Sequence, residues 1–152
     1  NKNEIKSVTG GYLLQQKNQS KIKKSDIELV STKISSKKVL EDLLFAFKVC
    51  KHIKSNAIVI AKNKTTLGIG AGQMSRVDAT KLAISKINKN KKGFVTASDA
   101  FFPFTDSIKV LHKKKCIAII QPKGSINDKK IINFANKHKI SLYFSKLRHF
   151  KH

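Results

Sequence analysis

Apolar residues recur along this chain with two distinct periods. In "SKKVLEDLLFAFKVCKHIKS", residues 36–55, Val39, Leu40, Leu43, Leu44, Phe47 and Cys50 fall three and four apart. That spacing predicts an amphipathic helix, with a serine available to cap its start. The same period returns from Ser75, with Val77, Leu82, Ala83 and Ile87 on one side and lysines on the other. Two more helices are read near 104–115 and 126–139. The intervening apolar runs are short and bounded by turn residues, as strands are. They are "GGYLLQQ" (10–16), "IELVS" (27–31), "GFVTA" (93–97), "CIAII" (116–120) and "SLYF" (141–144). A run at 57–61, an Asn-Lys turn and a second run ending in glycines read as a hairpin-like pair. The lysine-rich link "KNQSKIKK" (17–24) reads as an exposed turn. Strands alternating with helices predict an α/β layered domain, its helices packed on a mostly buried sheet. There is no internal repeat.

Composition narrows the class. A chain of 152 residues, 40% hydrophobic, suits one compact domain or a piece of a larger one. It has no apolar run long enough to span a membrane and no signal or transit pattern, so a soluble, cytoplasmic protein is expected. The chain opens without methionine, and its first residue is not read as a natural start. Cys50 and Cys116 match no zinc spacing and read as buried reduced thiols, and the five histidines have no metal spacing, so no metal is expected.

The net charge of +23 ordinarily points to nucleic acid. Of the 32 basic residues, however, two are arginine, leaving 30 lysines spread over nearly every polar segment. Compositional drift toward lysine explains that surface; a non-specific polyanion-binding face is the alternative. Against this background Arg76 and Arg148 stand out, because arginine is needed where planar, bidentate bonding to phosphate or carboxylate is required.

Three segments carry candidate chemistry. "GIGAGQMSR" (68–76) matches neither the dinucleotide nor the Walker glycine pattern and reads as a close-approach turn before a helix starting at Ser75. Arg76 in that helix's first turn is unfavourable unless an anion is near. "SDAFFPF" (98–104) places Phe101, Phe102 and Phe104 around a proline at the carboxyl end of a strand, where α/β ligand sites form. Part of this cluster must be core; a flat ligand stacking on another part is the functional reading, with Asp99 and Asp106 able to accept hydrogen bonds from ring N–H groups. "QPKGSIND" (121–128) has capping-box-like spacing from Ser125 to Asp128 and reads as a helix start. Lys51–His52 are adjacent on a helix and diverge, so they read as a solvated helix end.

Taken in order, "KSNAIVIAKN", "GIGAGQMSRVD", "SDAFFPF", "QPKGSI" and the terminal "RHFKH" resemble the C-terminal part of the bifunctional purine-biosynthesis family that joins AICAR transformylase to IMP cyclohydrolase. The resemblance covers almost the whole chain, most securely 40–152. It implies a cytidine-deaminase-like α/β fold with helices on a mixed sheet, incomplete relative to the full transformylase domain, and a homodimer or a complementing upstream chain as partner. It further implies formyl transfer from 10-formyltetrahydrofolate, a co-substrate, to the 5-amino group of the imidazole carboxamide ribonucleotide. By motif, Asn56 would hold the carboxamide and formyl region, Phe101 the base and Arg148 the phosphate. Arg76, Val77, Asp106, Ser125 and Ile126 would line the folate pocket. Thr105 stands where many relatives have arginine. The family's catalytic Lys-His pair and its cyclohydrolase domain belong upstream of these residues, so residues 1–152 are expected to be the C-terminal portion of the transformylase domain, inactive alone. A basic RNA-binding module and a decayed remnant are the other readings.

Overall fold

The computed structural model describes residues 3–16, 22–88 and 90–149. Its centre is a six-stranded sheet of β3 (Ile27–Leu29), β4 (Ile58–Lys62), β5 (Thr65–Gly70), β6 (Phe94–Ser98), β7 (Cys116–Pro122) and β8 (Ser141–Ser145), in the spatial order β3-β8-β7-β6-β4-β5. Strands β6, β7 and β8 are parallel, whereas β3, β4 and β5 each join their neighbours antiparallel. Helix α1 (Lys37–Cys50) covers one face, and α2 (Arg76–Ser85), α3 (Asp106–Lys113) and α4 (Asp128–Lys137) cover the other.

Because both faces are covered, the central strands are apolar in continuous runs, with successive residues sent to opposite cores. In β4, Ile58 and Ile60 meet the three-helix side, while Val59 and Ala61 meet Leu43, Ala46, Phe47 and Cys50 of α1. Strand β8 repeats the division, Leu142 and Phe144 on one side and Tyr143 on the other. Both cysteines are free and buried, as their setting in the sequence implied. Burial pushes the Cys116 thiol up to about 12.

The β4–β5 turn has left-handed backbone at Asn63 and Lys64, both with φ of 53°, which matches a tight hairpin between twisted strands. Asp42 of α1, itself buried, accepts from the N–H groups of both Asn63 and Lys64 at 2.9 and 2.7 Å. A single carboxylate thus fastens the hairpin to the helix beneath it.

Several sequence expectations change. The helix expected over 36–55 ends at Cys50: the apolar stripe ends there, and the chain turns through Lys51–Ile53 toward β4. The strand expected over 27–31 stops at Leu29, where the Ser31 hydroxyl replaces a backbone partner by accepting from the Leu142 N–H at 2.7 Å. Residues 10–16 are the second half of a separate hairpin, β1 (Asn3–Val8) with β2 (Gly11–Gln16), whose first strand the sequence reading lacked. Of the link expected over 17–24, residues 17–21 lie outside the described residues; Ile22 is buried rather than exposed, and Lys24–Asp26 form a 3-10 turn. Helix α4, expected near 126–139 with a capping box from Ser125, spans Asp128–Lys137: Asn127 takes the cap position, and Asp128 Oδ2 accepts from the Gly124 N–H at 2.9 Å.

Candidate functional site

Strand directions decide where the candidate residues meet. Ile58 pairs with both Gly70 and Ser98, and Pro122 pairs with Ser145, so the start of β4 and the ends of β5, β6, β7 and β8 share one edge of the sheet. Asn56 precedes β4, Arg76 and Val77 follow β5, Phe101 and Asp106 follow β6, Ser125 and Ile126 follow β7, and Arg148 follows β8. All eight candidate residues therefore lie at that edge, where the N-termini of α2, α3 and α4 also lie.

The glycine segment is built by packing. A Cβ on Gly68 would collide with the carbonyl of Ala83, and one on Gly70 with that of Ala79, so α2 lies directly on β5. Both glycines are strand residues and not turn residues, which corrects the turn reading; Gly72, with φ of +63°, is the one that turns the chain. Ser75 then caps α2, accepting from the Asp78 N–H at 3.1 Å. Asn56 braces the loop between them by donating from its side-chain amide to the carbonyls of Gln73 and Met74 at 2.8 and 3.1 Å.

The anion that Arg76 requires is supplied by the chain itself. Arg76 Nη2 donates to Asp99 Oδ1 at 3.3 Å, with the Arg76 side chain 13% and the Asp99 side chain 0% exposed. The Asp99 carboxylate is thus engaged inside the protein and is not an open acceptor for a ring N–H, as its position beside the aromatic cluster had suggested. Burial lowers the Arg76 pKa below its usual value; Asp99 opposes that shift, and the like charge of Arg148 adds to it.

Arg148 is exposed, its guanidinium carbon 5.2 Å from the centre of the Phe101 ring, a cation–π arrangement. Its Nη2 also reaches the Lys123 carbonyl at 3.5 Å. Phe102 is fully buried and Phe104 is 63% exposed, so the three phenylalanines divide into core, stacking platform and rim. Asp106 begins α3 and accepts from the Ser107 N–H at 2.7 Å. Ser125 accepts from the Asn127 N–H at 3.1 Å, and Ile126 beside it is fully exposed. Met74, Phe104 and Ile126, all exposed, each lie just before one of the three helices, giving this charged edge an apolar rim.

Four contributors escaped the sequence reading. Asp99 was read as a ligand acceptor and not as the partner of Arg76. His149 is buried with its ring 4.5 Å from that of Phe47, and burial, reinforced by Lys51 and His52 and opposed by Asp99, lowers its pKa to about 4. Gln121 accepts from the Phe102 N–H at 3.2 Å, and Asn127 donates to the Pro103 carbonyl at 2.7 Å, joining the loops after β6 and β7. Only the polar residue type at a strand end signalled any of these in advance. No group of three or more potential metal ligands occurs among the described residues, and none of the described helices is long and apolar enough to cross a membrane. A cavity of about 360 Å³, lined by Phe94 and by Lys113, Lys114 and Lys115 among others, lies at the opposite edge.

Residues 1–86 match the family model described as AICARFT/IMPCHase bienzyme. The chain is 51% identical over 149 residues to the bifunctional purine biosynthesis protein PurH of Caldicellulosiruptor saccharolyticus, covering 98% of this chain and 29% of that protein. It is 50% identical over 152 residues to PurH of Aquifex aeolicus, covering 98% and 30%, and 48% identical over 153 residues to PurH of Buchnera aphidicola, covering 98% and 29%. The chain belongs to this bienzyme family and spans less than a third of the length of these relatives. A solved Acinetobacter baumannii RibD chain is similar to it at a TM-score of 0.46 and 13% identity, over 68% of this chain and 33% of that one.

Proposed function

We propose that this chain is the C-terminal portion of an AICAR transformylase domain, with a cytidine-deaminase-like fold. In this reading it supplies part of a site that moves a formyl group from 10-formyltetrahydrofolate to the 5-amino group of the imidazole carboxamide ribonucleotide. The observation that carries the reading is the convergence of the eight candidate residues, drawn from all five family motifs, on one sheet edge, where two arginines, an aromatic platform and an apolar rim coincide.

The chemistry each ligand needs matches what that edge offers. Arg148 is exposed and fork-shaped, suited to the ribonucleotide's phosphate, and Phe101 beneath it offers a flat apolar surface to the base. Both donors of Asn56 are spent on the 73–74 carbonyls, so its side-chain oxygen is the group left to orient a carboxamide or amine N–H. Arg76, Val77, Asp106, Ser125 and Ile126 line the place for the folate: the rim covers its ring, and Arg76, held by Asp99, forms part of the wall.

In the reaction the amine nitrogen bonds to the formyl carbon, the bond from that carbon to the folate nitrogen breaks, the amine loses a proton, and the released folate nitrogen gains one. This chain's residues bind and align the two partners, and alignment is a large part of such catalysis. Proton movement falls to the family's Lys-His pair, expected upstream. Lys51–His52 lie at the end of α1 and do not replace it. The chain alone is therefore inactive, and a complementing upstream chain or a homodimer of the longer polypeptide completes the site.

Equilibrium binding tests the reading. Folate binding that weakens on Arg76→Lys and ribonucleotide binding that weakens on Arg148→Lys are expected. Salt-sensitive RNA binding that survives both substitutions, with no folate binding, would instead make the chain a basic RNA-binding module.

A further inference from the structure

Asp99 is the first residue after β6 and is wholly buried. Its backbone N–H donates to the Ala57 carbonyl at 3.2 Å, next to Asn56, and its own carbonyl accepts from the His149 N–H at 3.2 Å, next to Arg148. Its carboxylate takes the single hydrogen bond from Arg76. One residue thus touches the segments carrying Asn56, Arg76 and Arg148, and its own segment carries Phe101.

The pair with Arg76 is unsaturated. Asp99 Oδ2 and Arg76 Nε are both buried without a hydrogen-bond partner, so the fork has closed on one oxygen and not on two. A buried carboxylate is costly unless a cation compensates it, and a guanidinium is held most firmly by a carboxylate. Each member therefore fixes the other.

We infer that Asp99 is a positioning residue: its carboxylate sets the orientation of the Arg76 guanidinium, and its peptide group holds the Asn56 and Arg148 segments at fixed separation from it. The consequence for formyl transfer rests on the function proposed above; the positioning itself does not.

The test uses Asp99→Asn, which keeps shape and peptide bonds while removing the charge. Hydrogen exchange at the Arg76 Nη2–H, the donor that reaches Asp99, followed by ¹⁵N NMR with exposed Arg148 as internal reference, reads the positioning directly. Slow Arg76 exchange in the wild-type chain, at least tenfold faster exchange in D99N, and partial recovery in Asp99→Glu are expected. Should D99N not fold, the wild type decides: exchange at Arg76 as fast as at Arg148 overturns the inference, as does equal exchange in wild type and a folded D99N.

The functional arm uses the chain mixed with the remainder of a full-length relative. D99N should raise KM for 10-formyltetrahydrofolate about ten- to a hundredfold, more than it raises KM for the ribonucleotide, and D99N/R76A should be no worse than R76A. Additive losses would overturn the inference. A wild-type mixture without formyl transfer would overturn the proposed function and leave the exchange measurement to decide the positioning.

Discussion

At the scale of single residues, the chain's two arginines do different work. Arg76 is tucked against Asp99, and Arg148 stands over Phe101 in the open. Replacing Arg148 by alanine should weaken ribonucleotide binding by about 2 kcal/mol, roughly thirtyfold, with thermal stability unchanged, since an exposed cation contributes little to folding. Titration calorimetry and a melting curve together check this. Buried His149 makes a pH prediction. Its folded pKa of about 4 lies below the ordinary histidine value, so the unfolded chain binds the extra proton in the window between. The stability it contributes is complete above pH about 6.5 and is lost as pH falls toward about 4, by at most about 3 kcal/mol. Urea unfolding across this range should be less steep in pH for His149→Gln; identical pH profiles would contradict the assignment.

At the scale of elements, what was legible in the sequence followed periodicity. The 3.6-residue stripe from Val39 to Cys50 gave α1, and the unbroken apolar runs gave β4, β7 and β8, because burial on both sides leaves nothing polar to interrupt them. Where side-chain bonds replaced the repeating pattern, reading stopped short. Ser31 ended β3 through a bond to Leu142, 111 positions away, and Asp128 delayed α4 through a side-chain bond to the Gly124 N–H that the apolar pattern does not register. Strand β1 was missed because Asn3–Val8 has only two apolar residues and an exposed surface. The candidate residues could be named from motifs, but their pairing could not. Asp99 is 23 positions from Arg76, and only the β5–β4–β6 order brings them together.

The glycines at 68 and 70 show the same division. Sequence identified them as sites of close approach, and the structure identifies the approaching group as the backbone of α2. Gly70→Ala should cost at least about 1–3 kcal/mol, as overpacking does, because backbone cannot yield as a side-chain tip can. A drop in the urea midpoint at unchanged slope is the expected signature.

At the scale of the whole molecule, the hairpin β1–β2 stands apart from the sheet. Ile5 pairs with Leu14 and Ser7 with Tyr12, so Ile5, Leu14 and Tyr12 share one face, and all three are exposed. A two-stranded hairpin is marginal in water without a surface to pack on. The chain studied alone should therefore self-associate, and Ile5→Lys with Leu14→Lys should reduce that association in sedimentation equilibrium without lowering the melting temperature.

That exposed face and the short span relative to the PurH proteins frame the central claim, that this chain contributes part of a formyl-transfer site and not a whole one. The most direct measurement is formyl transfer from 10-formyltetrahydrofolate to the imidazole carboxamide ribonucleotide, with the chain alone and then mixed with the remainder of a full-length relative. Activity in the mixture and none in either component is the predicted result. Turnover by this chain alone would contradict the account, because the proton-transfer groups would then have to lie within these residues, and a folded mixture without turnover would contradict it from the other side.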